Sequence, residues 1–235
     1  MNIANKTILI TGTSRGLGRA LVNEALRRGA KRVYAGTRNG ALEHTDERVV
    51  PLKFDVTSLS QIKQAAEEVD TLDVLINNAG RAIFEDLSSA DVIEQHLDVN
   101  CLGMFRMVSA FLPLLKHSNG AIVNNLSLAA LAPIPVLPAY SVSKAAAFNM
   151  TQSLRMLLGK QGVTVHGVII GAMDTDMIKA LDIPKTSTEI VAMGIFDGLE
   201  GGEEDIFPDP LSQTMAEGWR TGVAKAFERQ NAALL

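Results

Sequence analysis

Short apolar runs rich in β-branched residues alternate along the chain with longer stretches whose apolar positions recur at helical spacing. This alternation is typical of stacked βαβ units around a parallel sheet. Runs such as ILI, VLI and VHGVII are almost continuously apolar, which indicates strands covered by helices on both faces. The pattern predicts an α/β fold with a doubly wound parallel sheet of about seven strands. The predicted strands are Thr7–Ile10, Arg32–Ala35, Val49–Phe54, Val74–Ile76, Ala121–Leu126, Thr164–Ile170 and a weak one at Asp205–Phe207.

No internal repeat, low-complexity tract or Pro/Ser-rich linker divides the 235 residues. Because α/β folds of this length are commonly one unit, we expect a single domain over residues 1–235. A substrate loop is expected within it, at about residues 171–200.

Composition narrows the class of partner. The net charge is −4 and no basic cluster occurs, so we expect neither nucleic acid nor an anionic membrane as partner, and a small molecule is favoured. The start of the chain has no export signal and we find no apolar run of about 18 residues, so we expect a soluble cytoplasmic protein. Cys101 is the only cysteine and the four histidines lack ligand spacing, so we predict no internal disulfide and no metal site.

A glycine-rich turn, TGTSRGLG, stands between the first predicted strand and the first helix. Glycines there let the backbone approach a ligand, and the helix N-terminus offers free amides and a positive dipole end to a pyrophosphate. The spacing is not the usual G-x-G-x-x-G, and a tight turn without a ligand is the alternative. The placement favours a dinucleotide site in a Rossmann-type sheet. The candidate binding residues are Gly12, Ser14, Arg15, Gly16, Leu17 and Gly18.

The end of the second strand predicts which dinucleotide binds. An acidic residue there would bind a ribose 2′-hydroxyl, whereas an arginine accommodates a 2′-phosphate. Here the chain has Thr37 and Arg38, and Arg15 supplies a second cation from the glycine turn. Two guanidinium groups can bind a phosphate by charge-assisted hydrogen bonds, so NADP is favoured over NAD. The alternative is that both arginines are ordinary solvated surface residues.

Polar and small residues follow the third and fourth strands. Asp55 and Val56 end the third strand, where the Asp could accept from an adenine amino group or cap the helix beginning near Ser58. The fourth strand ends in NNAG, which includes Asn78, Ala79 and Gly80. Ligands of open α/β sheets bind beyond these strand ends, so all five are candidate cofactor contacts.

The stretch from Ser127 to Lys144 carries a hydroxyl, a phenol and an ammonium. Tyr140 and Lys144 are four residues apart, so on a helix both side chains leave the same face. A nearby ammonium favours the phenolate, which predicts a phenol pKa close to neutrality and suited to general acid–base work. A solvated Tyr and Lys on a helix surface is the alternative.

Together these motifs resemble the short-chain dehydrogenase/reductase family over about Lys6 to Thr175. The family shares the TGxxxGxG turn, the Asp at Asp55 and NNAG. The resemblance implies a catalytic tetrad, with the phenol as proton donor and the Lys also contacting the nicotinamide ribose. It further implies that the Ser orients the carbonyl and that the Asn positions water. The tetrad residues are Asn100, Ser127, Tyr140 and Lys144.

Two departures from the family pattern occur. Ile170 replaces the usual Pro before Gly171, which leaves the loop's rigidity open. Gly171 and Thr175 are kept, and the resemblance implies that they contact the nicotinamide carboxamide. The tail lacks a glycine-rich closing strand, so a homodimer through the helix from Tyr140 to about Leu158 is favoured, with tetramer and monomer left open. We expect Glu203, Glu204 and Asp205 to form a solvated turn.

The residues between the catalytic groups are apolar, which favours an uncharged hydrophobic ketone or aldehyde over a sugar or phosphorylated substrate. The resemblance thus implies an NADPH-dependent carbonyl reductase or ketoreductase. A non-catalytic NADP-binding sensor or scaffold is the alternative. The predicted pocket residues are Leu128, Ala129, Leu131, Pro133, Ile134, Val136, Leu137, Ile83, Phe84, Met173 and Met177.

Overall fold

The computed structural model describes residues 1–40, 44–175 and 182–233. One seven-stranded parallel sheet lies at its centre, in the order β3-β2-β1-β4-β5-β6-β7. The strands are β1 (Thr7–Thr11), β2 (Arg32–Thr37), β3 (Val49–Lys53), β4 (Val74–Asn77), β5 (Ala121–Asn125), β6 (Thr164–Val168) and β7 (Asp205–Ile206). All seven predicted strands are therefore confirmed, and the order reverses between β1 and β4.

Helices cover both faces of the sheet, as the doubly wound prediction requires. In the described residues they are α1 (Gly16–Arg27), α2 (Leu59–Glu67), α3 (Ala90–Leu97), α4 (Met104–Ser118), α5 (Pro138–Gly159), α6 (Thr188–Gly201), α7 (Pro210–Thr221) and α8 (Val223–Ala232). A π-helical turn, Asp98–Gly103, joins α3 to α4, and a 3-10 turn, Leu128–Ala130, follows β5.

Alternate residues of one strand belong to opposite cores. Ile8 and Ile10 of β1 pack with α1 and α6, whereas Leu9 packs with α2, α4 and α5. Side chains of a strand alternate between faces, and here both faces are buried. This explains the continuous apolar runs in the sequence.

The helical stretch Ala90–Ser118 is long and apolar enough by composition to span a membrane, since an 18-residue window of it has a mean hydropathy of 1.3. The expectation that no such run exists is therefore corrected. Met107, Phe111 and Leu115 of this stretch are fully buried in the core beside the sheet. Their packing identifies a core helix.

In the acidic stretch predicted as a solvated turn, Glu203 and Glu204 are exposed, but Asp205 is buried at the start of β7. Asp205 is 4% exposed and accepts hydrogen bonds from Arg155, Trp219 and Lys225, all at 2.7–2.8 Å. Lys225 also pairs with Glu228 at 2.8 Å. We call Arg155, Asp205, Lys225 and Glu228 the C-terminal charge cluster. It joins α5, β7 and α8.

The segment expected to form the substrate loop includes a core helix. Residues 173 and 186 form an isolated bridge, and from Thr188 onward the chain is α6, whose Ile195 and Phe196 are fully buried. Residues 171–175 and 182–187 are the described non-helical part of the predicted loop.

Candidate active site

The carboxyl ends of β1, β4 and β5 are joined by buried amide and hydroxyl groups. Thr11 Oγ1 accepts from the backbone amides of Asn78 and Ala79 at 2.9 and 2.8 Å. The Asn78 side chain donates to the Thr11 carbonyl at 2.9 Å and accepts from Asn125 at 3.0 Å. NNAG therefore joins the carboxyl ends of β1, β4 and β5.

The glycine turn leads directly into α1, as predicted. Gly12 has φ +71°, and a Cβ there would lie 2.9 Å from Ala79 Cα. A Cβ on Gly18 would lie 2.0 Å from the Gly12 carbonyl oxygen, so the strand and helix meet only because both positions lack side chains. Leu17 is buried beneath the turn, and the Ser14 carbonyl accepts from Arg19 at 3.0 Å.

The N-terminus of α1 has the properties of an anion site. Its N-cap residue, Arg15, makes no side-chain cap hydrogen bond, and its first turn holds no acidic residue. Gly16 has φ +53°, and a Cβ on it would lie 3.5 Å from Thr175 Cγ2. The first amides of an α-helix have no partner within the helix and its N-terminus is the positive end of the dipole, which suits a pyrophosphate.

The end of β2 holds the residues predicted to select the cofactor. Thr37 is 3% exposed, and its Oγ1 has no hydrogen-bond partner among the described residues. A buried hydroxyl without a partner is rare in proteins, so a ligand donor or acceptor fits this position. Arg38 is exposed, and its charge contributes to lowering the pKa of Asp55.

Asp55 does not cap a helix. Its carboxylate accepts from the backbone amide and hydroxyl of Thr57 at 2.8 and 2.7 Å, and Ser58 is the N-cap of α2. Of the two predicted roles, capping is therefore wrong. Val56 is buried against Gly103 of the π-helical turn.

Lys144 is buried beside the strand ends. Its ammonium donates to the Asn125 carbonyl oxygen at 2.8 Å and lies 5.6 Å from the ring centroid of Tyr140. Burial lowers the pKa of Lys144 to about 8 because the charged form loses hydration. Asn125 was not predicted, since a backbone acceptor leaves no signal in residue type.

Tyr140 faces Ser127 across the site. Burial raises the pKa of the phenol to about 12, and its hydrogen bond with Ser127 acts in the opposite direction. The Ser127 hydroxyl also accepts from Ala129 at 3.1 Å. The predicted phenol pKa near neutrality is wrong for the protein's own groups, because loss of hydration on burial outweighs the hydrogen bond with Ser127.

Asn100 lies on the π-helical turn and is 2% exposed. Its side chain donates to the Arg81 carbonyl and accepts from the Arg81 amide, at 2.9 and 2.8 Å. It also donates to Ser143 Oγ at 2.9 Å, and that hydroxyl donates to the Tyr140 carbonyl at 2.7 Å. Asn100 therefore reaches the Tyr140 backbone through Ser143.

The loop after β6 is held by a residue that the sequence analysis missed. Asp209 accepts from the Gly171 amide at 2.8 Å, and a Cβ on Gly171 would lie 2.5 Å from Asp209 Oδ1. Thr175 donates to the Met173 carbonyl at 3.5 Å. An Asp followed by Pro and a Ser at the third helical position is a recognisable cap signal, and it would have identified the α7 start but not the contact with Gly171.

The predicted pocket residues differ in exposure. Phe84 and Val136 are 45% and 44% exposed, whereas Leu137 is 2% exposed and Met173 packs against the core beside α1 and α6. Met177 lies outside the described residues. Leu137 and Met173 therefore act in packing, and a substrate pocket at the exposed members stays a prediction.

The chain is similar to known proteins over most of its length. A family model described as short chain dehydrogenase matches residues 6–185. Short-chain dehydrogenase srdE of Neurospora crassa is 35% identical over 185 residues, which cover 75% of this chain and 64% of the relative. An uncharacterized oxidoreductase of Staphylococcus epidermidis is 30% identical over 191 residues, covering 77% and 83%.

Solved structures share the fold. A short chain dehydrogenase from Burkholderia cenocepacia in complex with NADP has a TM-score of 0.89 and 34% identity, with 98% of each chain covered. A short chain dehydrogenase/reductase from Burkholderia phymatum in complex with NAD has a TM-score of 0.79 over 94% of this chain and 96% of its own, at 20% identity.

Proposed function

Because the chain belongs to the short-chain dehydrogenase family, we propose that it transfers hydride between NADP(H) and a carbonyl/alcohol pair, reducing an uncharged hydrophobic ketone or aldehyde. The observation that carries the proposal is the convergence of Ser127, Tyr140 and Lys144 beside the end of β5. Tyr140 and Ser127 share a hydrogen bond, and Lys144 lies 5.6 Å from the phenol ring. A proton donor, an orienting hydroxyl and a cation are the groups that carbonyl reduction needs.

The protein's part in the reaction is to position the carbonyl and supply a proton. When bound, NADPH supplies the hydride. Ser127 orients the carbonyl oxygen by a hydrogen bond that strengthens as negative charge develops there. Tyr140 donates its proton to the same oxygen. Lys144, held by the Asn125 carbonyl, stabilises the resulting phenolate.

The cofactor preference rests on the end of β2 and the start of α1. Arg38 and Arg15 supply positive charge for a 2′-phosphate, and Thr37 supplies a buried hydroxyl. The similar protein from Burkholderia cenocepacia, which holds NADP, supports this choice. The proposal includes the predicted cofactor contacts at the glycine turn, Asp55, Val56, NNAG, Gly171 and Thr175.

Assembly as a homodimer through α5 is also proposed. Val142 and Leu157 of this helix are 45% and 56% exposed. Large apolar side chains exposed on this helix support association of two copies. A cytoplasmic location agrees with the single cysteine.

The function is tested by following nicotinamide absorbance with NADPH or NADH across hydrophobic ketones, aldehydes and steroids. We expect turnover with NADPH, and Tyr140→Phe should lower kcat about 10²-fold or more because the proton donor is lost. The matched control is Tyr34→Phe, which changes the other tyrosine, a buried residue of β2. If NADPH binds and no carbonyl is reduced, the sensor alternative replaces the enzyme.

The cofactor preference is tested by Arg38→Asp. We expect the ratio of kcat/KM with NADP(H) to that with NAD(H) to fall by at least about tenfold, since a carboxylate repels a 2′-phosphate and can accept from a 2′-hydroxyl. Arg229→Asp, which changes an exposed arginine of α8, is the control. An unchanged ratio in the Arg38 variant would show that the 2′-phosphate lies elsewhere.

A further inference from the structure

The helix that carries Tyr140 and Lys144 has no cap from its own sequence. Its N-cap residue is Leu137, which offers no side-chain acceptor, and its first turn contains no acidic residue. Instead the Ala139 amide donates to Glu85 Oε1 at 2.7 Å. The other carboxylate oxygen of Glu85 accepts from the Leu87 amide at 2.6 Å. A residue from the loop after β4 therefore caps α5.

Two further contacts join the same loop to the surroundings of Tyr140. His96, fully buried in α3, accepts from the Ile83 amide at Nε2 and contacts the Val92 carbonyl at Nδ1, at 3.1 and 2.7 Å. This pattern fixes the neutral ring with its proton on Nδ1. The ring meets the Tyr140 ring edge-on, with centroids 6.4 Å apart.

The third contact is the one made by Asn100, which binds both backbone groups of Arg81 and reaches the Tyr140 carbonyl through Ser143. Alternate residues of the segment 81–85 are thus connected to Tyr140 or its neighbour Ala139: Arg81 through Asn100 and Ser143, Ile83 through His96, and Glu85 directly. Movement of this segment and movement of the phenol are therefore mechanically linked.

We propose that Glu85 is a positioning residue for the reaction, one that ties segment 81–85 to the first turn of α5 and so holds Tyr140 in place for the substrate. The inference rests on the proposed function. A carboxylate suits this position because it accepts from two amides at once and its charge complements the positive helix N-terminus. The contacts at Asn100 and His96 secure one end of the segment, and Glu85 secures the end that meets the catalytic helix.

The number of acceptor atoms at position 85 predicts that its variants lose the contact with α5 to different degrees. Glu85→Gln keeps one acceptor oxygen but turns an amide donor toward the second backbone amide, so it can satisfy only one of the two partners. Glu85→Ala satisfies neither. Asp86→Asn is the matched control, because this exposed neighbour accepts only from Ser88 within the loop.

The experiment measures steady-state kinetics with the carbonyl substrate found in the screen, together with amide hydrogen exchange. We expect Glu85→Ala to lower kcat/KM for the carbonyl by about 10- to 100-fold, since small displacements of a catalytic group are costly. The KM for NADPH should change less than about twofold, because the glycine turn lies on other elements. Glu85→Gln should recover part of the loss, and Asp86→Asn should match the wild type. Amide exchange in peptides covering 81–89 and 138–142 should rise in the same order.

The two proposals fail separately. If the wild-type protein reduces no carbonyl compound, the proposed function fails, and the exchange measurement alone then tests the link between Glu85 and α5. Unchanged exchange at 138–142 in Glu85→Ala would overturn that link. If exchange rises while the carbonyl kinetics stay at the wild-type level, the contact only stabilises the fold, and the positioning role is overturned.

Discussion

Within residues 1–40, 44–175 and 182–233, two lysines are buried, and their surroundings differ. Lys225 in the C-terminal charge cluster is 2% exposed and pairs with Asp205 and Glu228 at 2.7 and 2.8 Å. Lys144 in the candidate active site is 6% exposed and donates to a backbone carbonyl at 2.8 Å. Burial opposes the charge of both, but only Lys225 has carboxylates that reverse the effect, so its pKa is raised. The pKa of Lys144 is lowered to about 8.

The partner of a buried ammonium decides whether the lysine stabilises the fold or is available for a reaction. An ammonium held by carboxylates keeps its proton and joins elements together. An ammonium held by a neutral carbonyl is costly for the fold, and its charge remains available to a group that becomes negative during a reaction. The comparison predicts opposite outcomes when each lysine is replaced by the similarly shaped methionine.

The largest effect is expected for Lys144→Met. Activity should fall about 10²-fold or more, because the phenolate of Tyr140 loses its nearby cation. The free energy of unfolding should stay the same or rise, since an unfavourably buried charge is removed. Steady-state kinetics and urea denaturation measure the two quantities. Lys160→Met, at the exposed end of the same helix, is the control and should change neither. A strong loss of stability in Lys144→Met would contradict the comparison.

Lys225→Met should lower the free energy of unfolding and leave the activity unchanged. Removing one member of the buried cluster leaves carboxylates of Asp205 and Glu228 short of a partner, so unfolding should become easier by about 3–5 kcal/mol. Well below the unfolding midpoint, kcat should match the wild type, because the cluster makes no contact with the candidate catalytic residues. Urea denaturation and kinetics at low temperature check this. Lower kcat in a fully folded variant would show that the cluster acts on the site.

The smallest effect concerns pH. The pKa of Lys144 rises from about 8 in the folded chain to its ordinary value of 10.5 on unfolding. Between these values the unfolded chain binds more protons, so this residue makes stability increase with pH in that window, by at most about 3 kcal/mol. Lys225, with a raised pKa, contributes stability that is lost as pH rises through its higher folded value. The unfolding free energies of the wild type and of Lys144→Met are measured without added cofactor from pH 7 to 10.5. The wild-type value minus the variant value should rise with pH, because only the wild type carries Lys144. A difference that does not change with pH would contradict this prediction.

Much of the fold follows from local sequence. Residues such as Ile8, Leu9 and Ile10 predict a strand buried on both faces because each apolar side chain must be covered. Local sequence does not predict the surroundings of Asp205. Its acidic neighbours predict a solvated turn, but its partners Arg155 and Lys225 come from distant helices. Only the assembled fold brings those charges together.

The residue types of the candidate site were predictable from the sequence, whereas the pKa values of its groups were less predictable. Spacing places Tyr140 and Lys144 on one helix face, and the structure has them on α5. The phenol pKa depends on burial as much as on charge, and burial has no local signal. Glu85 and His96 escaped prediction for a related reason: each acts through a backbone amide far along the chain, and any residue type can provide one.

The contact between Asp209 and the Gly171 amide has a consequence for synthesis of the protein. Position 209 lies well beyond Thr175, the last predicted cofactor residue, so the contact between its carboxylate and the Gly171 amide forms only after most of the chain has been made. Strand β7 likewise joins the sheet from the last part of the chain. During translation the glycine turn and α5 can form early, whereas the loop after β6 gains its contact with Asp209 only when nearly the whole polypeptide has left the ribosome. A chain stalled before that point would contain Ser127, Tyr140 and Lys144 but would lack this contact.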